Sequence, residues 1–448
     1  MARTTKKEKM LTTEEKLAQA LVPETEQPYK VPKNWCWVLL ENVLVSIKEK
    51  EDSFDKTLKY VGLENIEKET GQIDFQSADA VKSTKNIFYK GNILYGRLRP
   101  YLNKHGIVPF GGVCSTDILV FDSKEVSSNQ LVDYFFHLPF FIQYVVSNSK
   151  GINLPRVSEG IVLNAKFPLP PLKEQQRIVD RIESLFAKLD EAKEKAQSVV
   201  DGFENRKAAI LNKAFTGELT AEWRKNNLAS SGHWVKKRLG DCGKWMGGGT
   251  PSKAHPEYWD NGDILWVTSK DMKSDLIEDT QLHTNMLGVN NSSTTYIEKP
   301  SILFVMRSGI LRHTLPIAVV KTPFTVNQDL KALSPDNIDI DYLFWACESE
   351  EKHILDNCMK NGTTVESINA TALMNFEIAI APVEEQQIIV SMIVSVLHKE
   401  QKAKEAAERV IEKIDIMKKS ILARAFRGEL GTNDPTDEPA EELLKRVL

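Results

Sequence analysis

Few side chains in this sequence have the spacing needed for catalysis or metal binding. The five cysteines include no Cys-x-x-Cys pair and the eight histidines show no ligand spacing, so neither a zinc site nor a disulfide framework is predicted. The GGGTPSK segment lacks the spacing of a phosphate-binding loop. No Asn/Asp-Pro-Pro-Tyr/Phe methyltransferase signature is present. We therefore predict no catalytic residue and no metal ligand in this chain.

Length and composition are typical of a soluble protein with several domains. The 448 residues are too many for one ordinary hydrophobic core. The formal net charge of −4 counts against a dedicated non-specific nucleic-acid binder, but it still permits basic residues to cluster on one surface. The polar N-terminus, the lack of a long apolar run and the scattered cysteines predict a cytoplasmic protein without signal peptide or membrane span.

The elements that must position any functional residue occur twice. Residues 170–180 read PPLKEQQRIVD and residues 381–391 read APVEEQQIIVS; AFTGEL at 214–219 has a counterpart in AFRGEL at 425–430. Both matches are 211 positions apart (382 − 171 and 425 − 214). Such a duplication predicts two copies of one unit, related by a pseudo-two-fold axis.

Each repeat contains a long helix with the heptad pattern of a coiled coil. The apolar seam is predicted to consist of Ile178, Ile182, Leu185, Leu189, Val199, Phe203 and Ile210 in the first helix, and of Ile389, Ile393, Val396, Val410, Ile414, Met417 and Ile421 in the second.

Two polar residues interrupt this seam. Glu400 stands where the first helix has a leucine, and Arg206 stands where the second helix has Met417. Single polar residues in a seam often fix its register. We predict helices of about 40 residues, each beginning after a proline and ending at Gly217 or Gly428. A pseudo-two-fold axis requires the pair to be antiparallel.

A globular segment precedes each helix. Both segments open on a tryptophan, Trp35 or Trp234, and their interiors alternate short apolar runs with turn residues. The runs at 92–102, 118–121, 263–269 and 301–309 predict α+β domains with a twisted sheet and long polar loops. A shared frame around divergent interiors is typical of recognition modules.

These motifs together resemble those of the specificity subunits of type I restriction-modification systems. The resemblance covers about Trp35 to Leu430. Its most specific marks are the two Pro-x-x-Glu-Gln-Gln helix starts and the two Ala-Phe-x-Gly-Glu-Leu ends. Three further stretches are similar to those of the family's target recognition domains: NILYGRLRPYL at 92–102, the 247–272 stretch beginning GGGTPSK, and VNQDLKAL at 326–333.

The resemblance implies a fold, partners and cofactors. The fold class would be α+β, with two α/β target recognition domains separated and joined by two long helices in an antiparallel coiled coil. Each domain would read one half of a bipartite, asymmetric double-stranded DNA target. Two modification subunits using S-adenosylmethionine, and two restriction subunits using ATP and Mg²⁺, would bind this non-catalytic chain, which itself carries no cofactor.

The predicted segments follow from the repeat and the resemblance. They are an N-terminal extension with a short helix (1–33), recognition domain 1 (34–165), helical region 1 (166–226), recognition domain 2 (227–374), helical region 2 (375–432) and a C-terminal tail (433–448). Thr12 and Glu15 form a predicted capping box in the extension. We expect this extension and the tail to meet, because each has an apolar face too small to be stable alone.

DNA contacts should come from lysine and arginine on phosphates and from arginine, lysine, asparagine and glutamine on base edges. Arg97 and Arg307 are the stronger candidates because each adjoins an apolar strand. The candidates are Lys82, Lys85, Arg97, Arg99, Tyr101, Lys104 and His105 in the first domain, and Lys253, His255, Lys270, Arg307, Arg312, His313 and Gln328 in the second.

The sequence alone leaves two alternatives to DNA recognition open. A solvated protein surface has the same basic composition as a DNA interface. The whole chain also fits a coiled-coil adaptor that joins two protein-binding domains without nucleic acid.

Overall fold

The computed structural model describes residues 12–52, 57–68, 71–80, 83–227, 233–360 and 365–448. The chain divides into two compact units, which we call the first unit (residues 1–197 with 409–448) and the second unit (residues 198–408). Each unit contains one globular segment and a part of both long helices. The boundaries between the units lie inside the long helices. They therefore do not test the predicted segment bounds, which stay a prediction.

The helices alternate with short strands along the chain. They are α1 (Thr13–Ala20), α2 (Asn129–Phe136), α3 (Pro139–Ser147), α4 (Glu159–Leu163), α5 (Leu172–Asp201), α6 (Phe203–Phe215), α7 (Ala221–Asn226), α8 (Met286–Asn290), α9 (Ile340–Ser349), α10 (Glu351–Cys358), α11 (Ala370–Asn375), α12 (Val383–Ala425) and α13 (Ala440–Lys445). Within the described ranges, none of them combines the length and apolar character that crossing a membrane requires.

The strands are short and fall into small sheets. Those of the first unit are β1 (Cys36–Leu39), β2 (Leu44–Ser46), β3 (Lys50–Glu51), β4 (Lys59–Val61), β5 (Gln76–Ser77), β6 (Lys85–Phe88), β7 (Ile93–Gly96), β8 (His105–Ile107), β9 (Gly112–Cys114), β10 (Ile118–Ser123) and β11 (Lys166–Leu169). Those of the second unit are β12 (Val235–Arg238), β13 (Gly243–Gly247), β14 (Ile264–Val267), β15 (His283–Thr284), β16 (Ser301–Val305), β17 (Ile317–Val320), β18 (Phe324–Val326), β19 (Leu330–Pro335) and β20 (Glu377–Ile380).

The two units share one sheet topology, which confirms the predicted duplication. A four-stranded antiparallel sheet has the order β2-β10-β7-β8 in the first unit and β13-β19-β16-β17 in the second. A second sheet contains a parallel pair in each unit, β4 with β9 and β14 with β18. A two-stranded ribbon, β1 with β11 or β12 with β20, leads into each long helix.

The central strands are apolar on both faces because both faces of the sheet are covered. In β7, Ile93 and Tyr95 pack into a cluster that includes residues of α2 and α3, whereas Leu94 packs into a separate cluster with β4 and β6. Strand β10 alternates in the same way, with Leu119 on one side and Val120 on the other. This two-sided burial explains the continuous apolar runs in the sequence.

The two long helices run antiparallel within each unit, as predicted. In the first unit, Lys193 pairs with Asp415 (3.1 Å) and Asp190 with Lys418 (2.5 Å), so residue numbers rise along one helix as they fall along the other. The first helix is not continuous: α5 and α6 are separated at Gly202, whereas α12 continues for 43 residues. Gly217 and Gly428 follow the helices with positive φ, as expected for C-terminal glycines.

The seam of the second helix differs from the predicted one at two positions. Val410 and Met417 are 43% and 49% exposed, so placing them in the seam was wrong. The inward position one residue later is taken by Lys418, whose Nζ lies 5.0 Å from the centroid of the Phe186 ring and also bonds Asp190. A lysine stem can cover apolar surface while its charge reaches a carboxylate, so a pattern of apolar residues alone did not reveal this position.

The two polar interruptions of the seam bind each other. Arg206 Nε donates to Glu400 Oε2 at 2.6 Å, and Arg206 Nη2 donates to the carbonyl of Val199 at 2.8 Å. The two side chains are 36% and 28% exposed. Because the partners lie in different helices of the second unit, the pair fixes the register of this part of the coiled coil.

A buried glutamate anchors the start of each long helix. In the first unit, Glu174 is fully buried; its carboxylate accepts hydrogen bonds from Trp35 Nε1 (2.7 Å), Asn433 Nδ2 (2.8 Å) and Thr432 Oγ1 (3.2 Å). Trp35 opens the globular segment, whereas Thr432 and Asn433 follow α12. One carboxylate therefore connects three distant parts of the chain.

Glu385 repeats this arrangement in the second unit. Its buried carboxylate accepts from Trp234 Nε1 (2.9 Å), from Thr220 Oγ1 (2.6 Å) and from the guanidinium of Arg224. The glutamate and tryptophan that recur in the sequence are thus the two ends of one hydrogen bond. A tryptophan needs such a partner when it is buried.

The terminal segments meet in the first unit, as predicted. Helix α1 has the predicted capping box of Thr12 and Glu15. Leu17 of α1 and Leu444 of α13 belong to the same core cluster, and Lys16 Nζ donates to the carbonyl of Leu448 at 2.5 Å. Each short helix is therefore stabilised by tertiary packing.

Removing the buried carboxylate of the second unit should destabilise it strongly. We expect Glu385→Ala to lower the free energy of unfolding by about 3 kcal/mol, because Arg224, Trp234 and Thr220 lose their shared acceptor. Urea unfolding of the full chain measures this. Glu384→Ala is the matched control, since that exposed neighbour begins the same helical turn. Equal midpoints for the two variants would contradict the anchoring role.

Replacing both residues of the polar seam pair by apolar residues should restore the stability that each single substitution loses. Arg206→Met and Glu400→Leu install the residue types that the other repeat carries at these positions. Each change alone should cost about 1 kcal/mol by leaving its partner unpaired, whereas the double variant should be as stable as the natural chain or more so. A double-mutant cycle in urea with no coupling energy would contradict the pairing.

Candidate nucleic-acid interface

In the second unit the candidate residues gather where β16 ends. Arg307 follows β16 and forms an antiparallel bridge with Ser367. Its Nε donates to Asp329 Oδ1 at 2.8 Å, while 58% of the side chain stays exposed. The carboxylate thus holds one edge of the guanidinium, and the remaining N–H groups are available to a ligand.

Arg307 lines a groove of about 690 Å³. The predicted Gln328 lies on the same groove, together with two lysines that the sequence analysis did not single out, Lys331 and Lys360. Asp329 is the acidic side chain among the lining residues. Three cations, an exposed amide and one carboxylate make this groove suitable for a polyanion that also presents hydrogen-bonding groups, such as the base edges of a nucleic acid.

The glycine-rich loop packs against the segment that contains Gln328. Gly248 lies so close to Val326 that a Cβ atom would stand 1.8 Å from its carbonyl oxygen, so only glycine fits there. Thr250 Oγ1 then donates to Gln328 Oε1 at 2.8 Å. This loop continues into two other candidates, Lys253 and His255, both exposed.

The remaining candidates of the second unit differ in their surroundings. Arg312 is exposed and bonds Glu366, and this hydrogen bond lowers the pKa of the Glu366 carboxyl. His313 follows it and is exposed. Lys270 is exposed in the turn after β14. Glu366 directly precedes Ser367, which bridges to Arg307, but neither Arg312 nor Glu366 is among the described residues that line the groove of Arg307.

In the first unit three candidates follow β7. Arg97 is half-buried and its Nε donates to the carbonyl of Val157 at 3.3 Å. Arg99 is exposed, has a positive φ of 51° and donates its N–H to the carbonyl of Pro155 at 2.8 Å. Tyr101 is 53% exposed. These residues lie at the end of β7 that corresponds to the end of β16.

Other candidates of the first unit lie elsewhere. Lys104 donates from Nζ to the carbonyl of Leu63 at 2.7 Å. With Lys68 and three acidic side chains, Glu64, Glu67 and Asp74, it lines a separate groove of about 570 Å³. Lys85 is half-buried on β6 and donates to Ser83 Oγ at 2.6 Å. Lys82 lies outside the described residues. This groove has more carboxylates than cations, so it is less suited to phosphate than the groove of Arg307.

The prediction that His105 contacts DNA is wrong, because its ring is fully buried. Nδ1 bonds Asp133 Oδ1 at 2.7 Å and Nε2 bonds Asn103 Nδ2 at 3.1 Å. His137 packs against it, with 4.4 Å between ring centroids, and burial lowers the pKa of His137 to about 4. The imidazole therefore fastens β8 to α2, a role that the basic residues around it in the sequence concealed.

These three side chains are also the described group that comes closest to a metal site. The ligand atoms of His105, Asp133 and His137 lie within 4.8 Å of one another. However, hydrogen bonds inside the protein already use both ring nitrogens of His105. The arrangement is that of a polar core network.

Sequence reasoning missed Arg156 and Lys150 in the first unit. They face each other across an antiparallel bridge, and Arg156 also bridges to Leu98 beside Arg97. Arg156 Nη2 bonds Asp117 Oδ1 at 2.7 Å with half of the side chain exposed. No dense basic stretch surrounds Arg156. The sequence pointed to it only through the repeat, because the offset of 211 pairs it with Ser367.

Comparison with known proteins identifies the family. The family model for the type I restriction modification DNA specificity domain matches residues 41–199 and again 232–411. The chain is 40% identical over 198 residues to the EcoR124I/EcoR124II specificity subunit of Escherichia coli, covering 41% of this chain and 49% of that protein. It is 33% identical over 201 residues to the E. coli EcoDI specificity subunit, covering 44% and 45%. The aligned part thus spans about half the length of these relatives.

Solved structures share the fold. An HsdS subunit from Thermoanaerobacter tengcongensis is similar with a TM-score of 0.63 and 21% identity, covering 90% of this chain and all of that one. A chain from a study of complex assembly in the type I R-M system gives a TM-score of 0.68 at 21% identity, with the same coverage. Two family matches that together cover most of the sequence establish that this chain belongs to the type I restriction-modification DNA specificity family.

Proposed function

We propose that this chain is the DNA specificity subunit of a type I restriction-modification complex, and that each unit reads one half of a bipartite, asymmetric target. The observation that carries the proposal is the repetition of one frame: each family match contains the same four-stranded sheet, with an exposed arginine beside the end of its central strand. Two such frames in one chain suit a target with two separate halves.

The chain would act without catalysing a reaction itself. Two modification subunits with S-adenosylmethionine would methylate adenine, and two restriction subunits with ATP and Mg²⁺ would translocate and cut DNA. The relatives' designation as specificity subunits supports this division of labour. The five cysteines are all buried and free, which supports a reducing compartment such as the cytoplasm.

The paired helices would scaffold these partners and set the spacer between the half-targets. Their antiparallel ion pairs and the Arg206–Glu400 pair fix the register on which a defined length depends. A flexible linker would not hold a constant number of base pairs between two recognition sites.

A map of methylated adenines tests the proposal directly. The modification gene from the same locus is expressed in a methylation-free host with and without this chain. A bipartite motif that appears only with the chain is the expected result. If neither sample is methylated although both proteins are soluble, the proposal fails, and a coiled-coil adaptor between protein partners becomes the better explanation.

Exchanging one recognition domain should change one half of the target. We expect replacement of residues 44–165 by the equivalent segment of a relative to alter a single half-site, because the sheets and loops of that unit are built from this segment. Methylation mapping of the chimaera measures the outcome. The matched control replaces the second domain instead and should alter only the other half. A chimaera that changes both half-sites would contradict independent reading.

Lengthening both helices should lengthen the spacer. One heptad inserted into each helix at facing levels adds roughly 10 Å, or about 3 base pairs. The recognised spacer should grow while both half-sites stay the same, as methylation mapping can determine. A three-residue insertion in one helix, which breaks the heptad register, should instead abolish methylation. An unchanged spacer in the heptad variant would contradict the scaffold role.

A further inference from the structure

The two units place an aspartate at the same point of their shared sheet. Asp117 directly precedes β10, and Asp329 directly precedes β19. Each backbone carbonyl accepts a hydrogen bond from the residue that follows the central strand: Arg97 N–H donates to Asp117 (2.8 Å) and Met306 N–H to Asp329 (2.7 Å). These bonds identify Arg97 and Met306 as structural counterparts.

A second set of backbone contacts aligns the next residues. Leu98 bridges to Arg156 in the first unit, and Arg307 bridges to Ser367 in the second. One position later, Arg99 N–H donates to the carbonyl of Pro155 (2.8 Å), and Ser308 N–H donates to that of Glu366 (3.1 Å). Leu98 therefore corresponds to Arg307, and Arg156 corresponds to Ser367.

The arginine thus comes from opposite strands of one bridge. In the first unit it is Arg156, whose Nη2 bonds Asp117 at 2.7 Å with 50% of the side chain exposed. In the second unit it is Arg307, whose Nε bonds Asp329 at 2.8 Å with 58% exposed. The carboxylate keeps its place while the partner strand that carries the guanidinium changes. An ungapped alignment of residues 92–102 with 301–311 gives the same pairs, Arg97 with Met306 and Leu98 with Arg307.

A role in folding does not explain this recurrence. Ion pairs between side chains this exposed contribute little stability, so two units would gain little by placing the same pair at the same point. Arg97, which sequence reasoning favoured, is half-buried and bonds a backbone carbonyl, so it is less available to a ligand. The second-unit pair also lines the groove that contains Gln328, Lys331 and Lys360.

We propose that Arg156 and Arg307 are corresponding base-reading residues, one for each half-target, and that Asp117 and Asp329 orient them. This inference rests on the proposed function. Each carboxylate occupies one edge of the guanidinium and restricts its rotation. The other N–H groups then match the two acceptors that guanine presents in the major groove, O6 and N7. Arginine is suited to this because its fork of donors is rigid.

Lysine substitutions separate base reading from simple charge attraction. Arg156→Lys keeps the positive charge but loses the fork of donors, and Arg307→Lys does the same in the second unit. We expect each variant to lose about 10- to 100-fold discrimination at one guanine of one half-site, with the other half-site unchanged. Asp117→Asn should reduce discrimination at the same base as Arg156→Lys, because it releases the guanidinium.

The measurement is methylation mapping by the assembled complex, with thermal unfolding of each variant to confirm its folding. The matched controls remove a paired surface lysine in each unit: Lys48→Ala, whose partner is Glu159 at 3.2 Å, and Lys321→Ala, whose partner is Asp341 at 2.9 Å. Both controls should retain the natural motif.

Two results would overturn the inference. A variant motif identical to the natural one excludes base reading by that arginine. A loss of binding that is uniform over sequences, with a smaller dependence on salt, identifies a phosphate contact instead. If the natural chain itself directs no bipartite methylation, the proposed function has failed and this inference with it, so the two failures are distinguishable.

Discussion

The buried carboxylates of Glu174 and Glu385 are the constraint on which the arrangement of each unit depends. A buried charge is costly unless hydrogen bonds satisfy it, so each glutamate requires its tryptophan, its threonine and a third donor at the same time. These donors lie at the opening of the recognition segment and beyond the end of a long helix. The helix start, the first ribbon and the chain after the other helix are therefore fixed together, whatever the sequence of the loops.

This constraint explains why so much of the interior can vary. The recognition segments are attached to the frame at their two ends, by the ribbons that pair β1 with β11 and β12 with β20. Between these ends, the four-stranded sheet keeps its order, while the second sheet has, among the described residues, five strands in the first unit and three in the second. The two units thus differ mainly in elements and loops that lie between the paired ends of each recognition segment.

The sequence predicted the elements whose physics is local or periodic. The repeat, the antiparallel helices, the terminal glycines and the capping box follow from spacing and were confirmed. It could not predict that Lys418 would replace Met417 in the seam, because an amphipathic side chain looks polar in any pattern. It also placed His105 at an interface although burial and two hydrogen bonds hold it in the core. Both errors concern polar residues whose role depends on tertiary partners.

The arginines show that residue identity at aligned positions is not enough to find corresponding contacts. In Arg156 and Arg307, what recurs is a place next to an aspartate, and either strand of the bridge can supply the side chain. The shared frame fixes the aspartate and the backbone bridge, but either side of that bridge can carry the arginine. Sequence comparison between the repeats shows different residues at both positions of this bridge, whereas the structure shows that an arginine bonds the corresponding aspartate in each unit. Where the interiors of two repeats diverge, corresponding contacts are then better sought by topology than by residue identity.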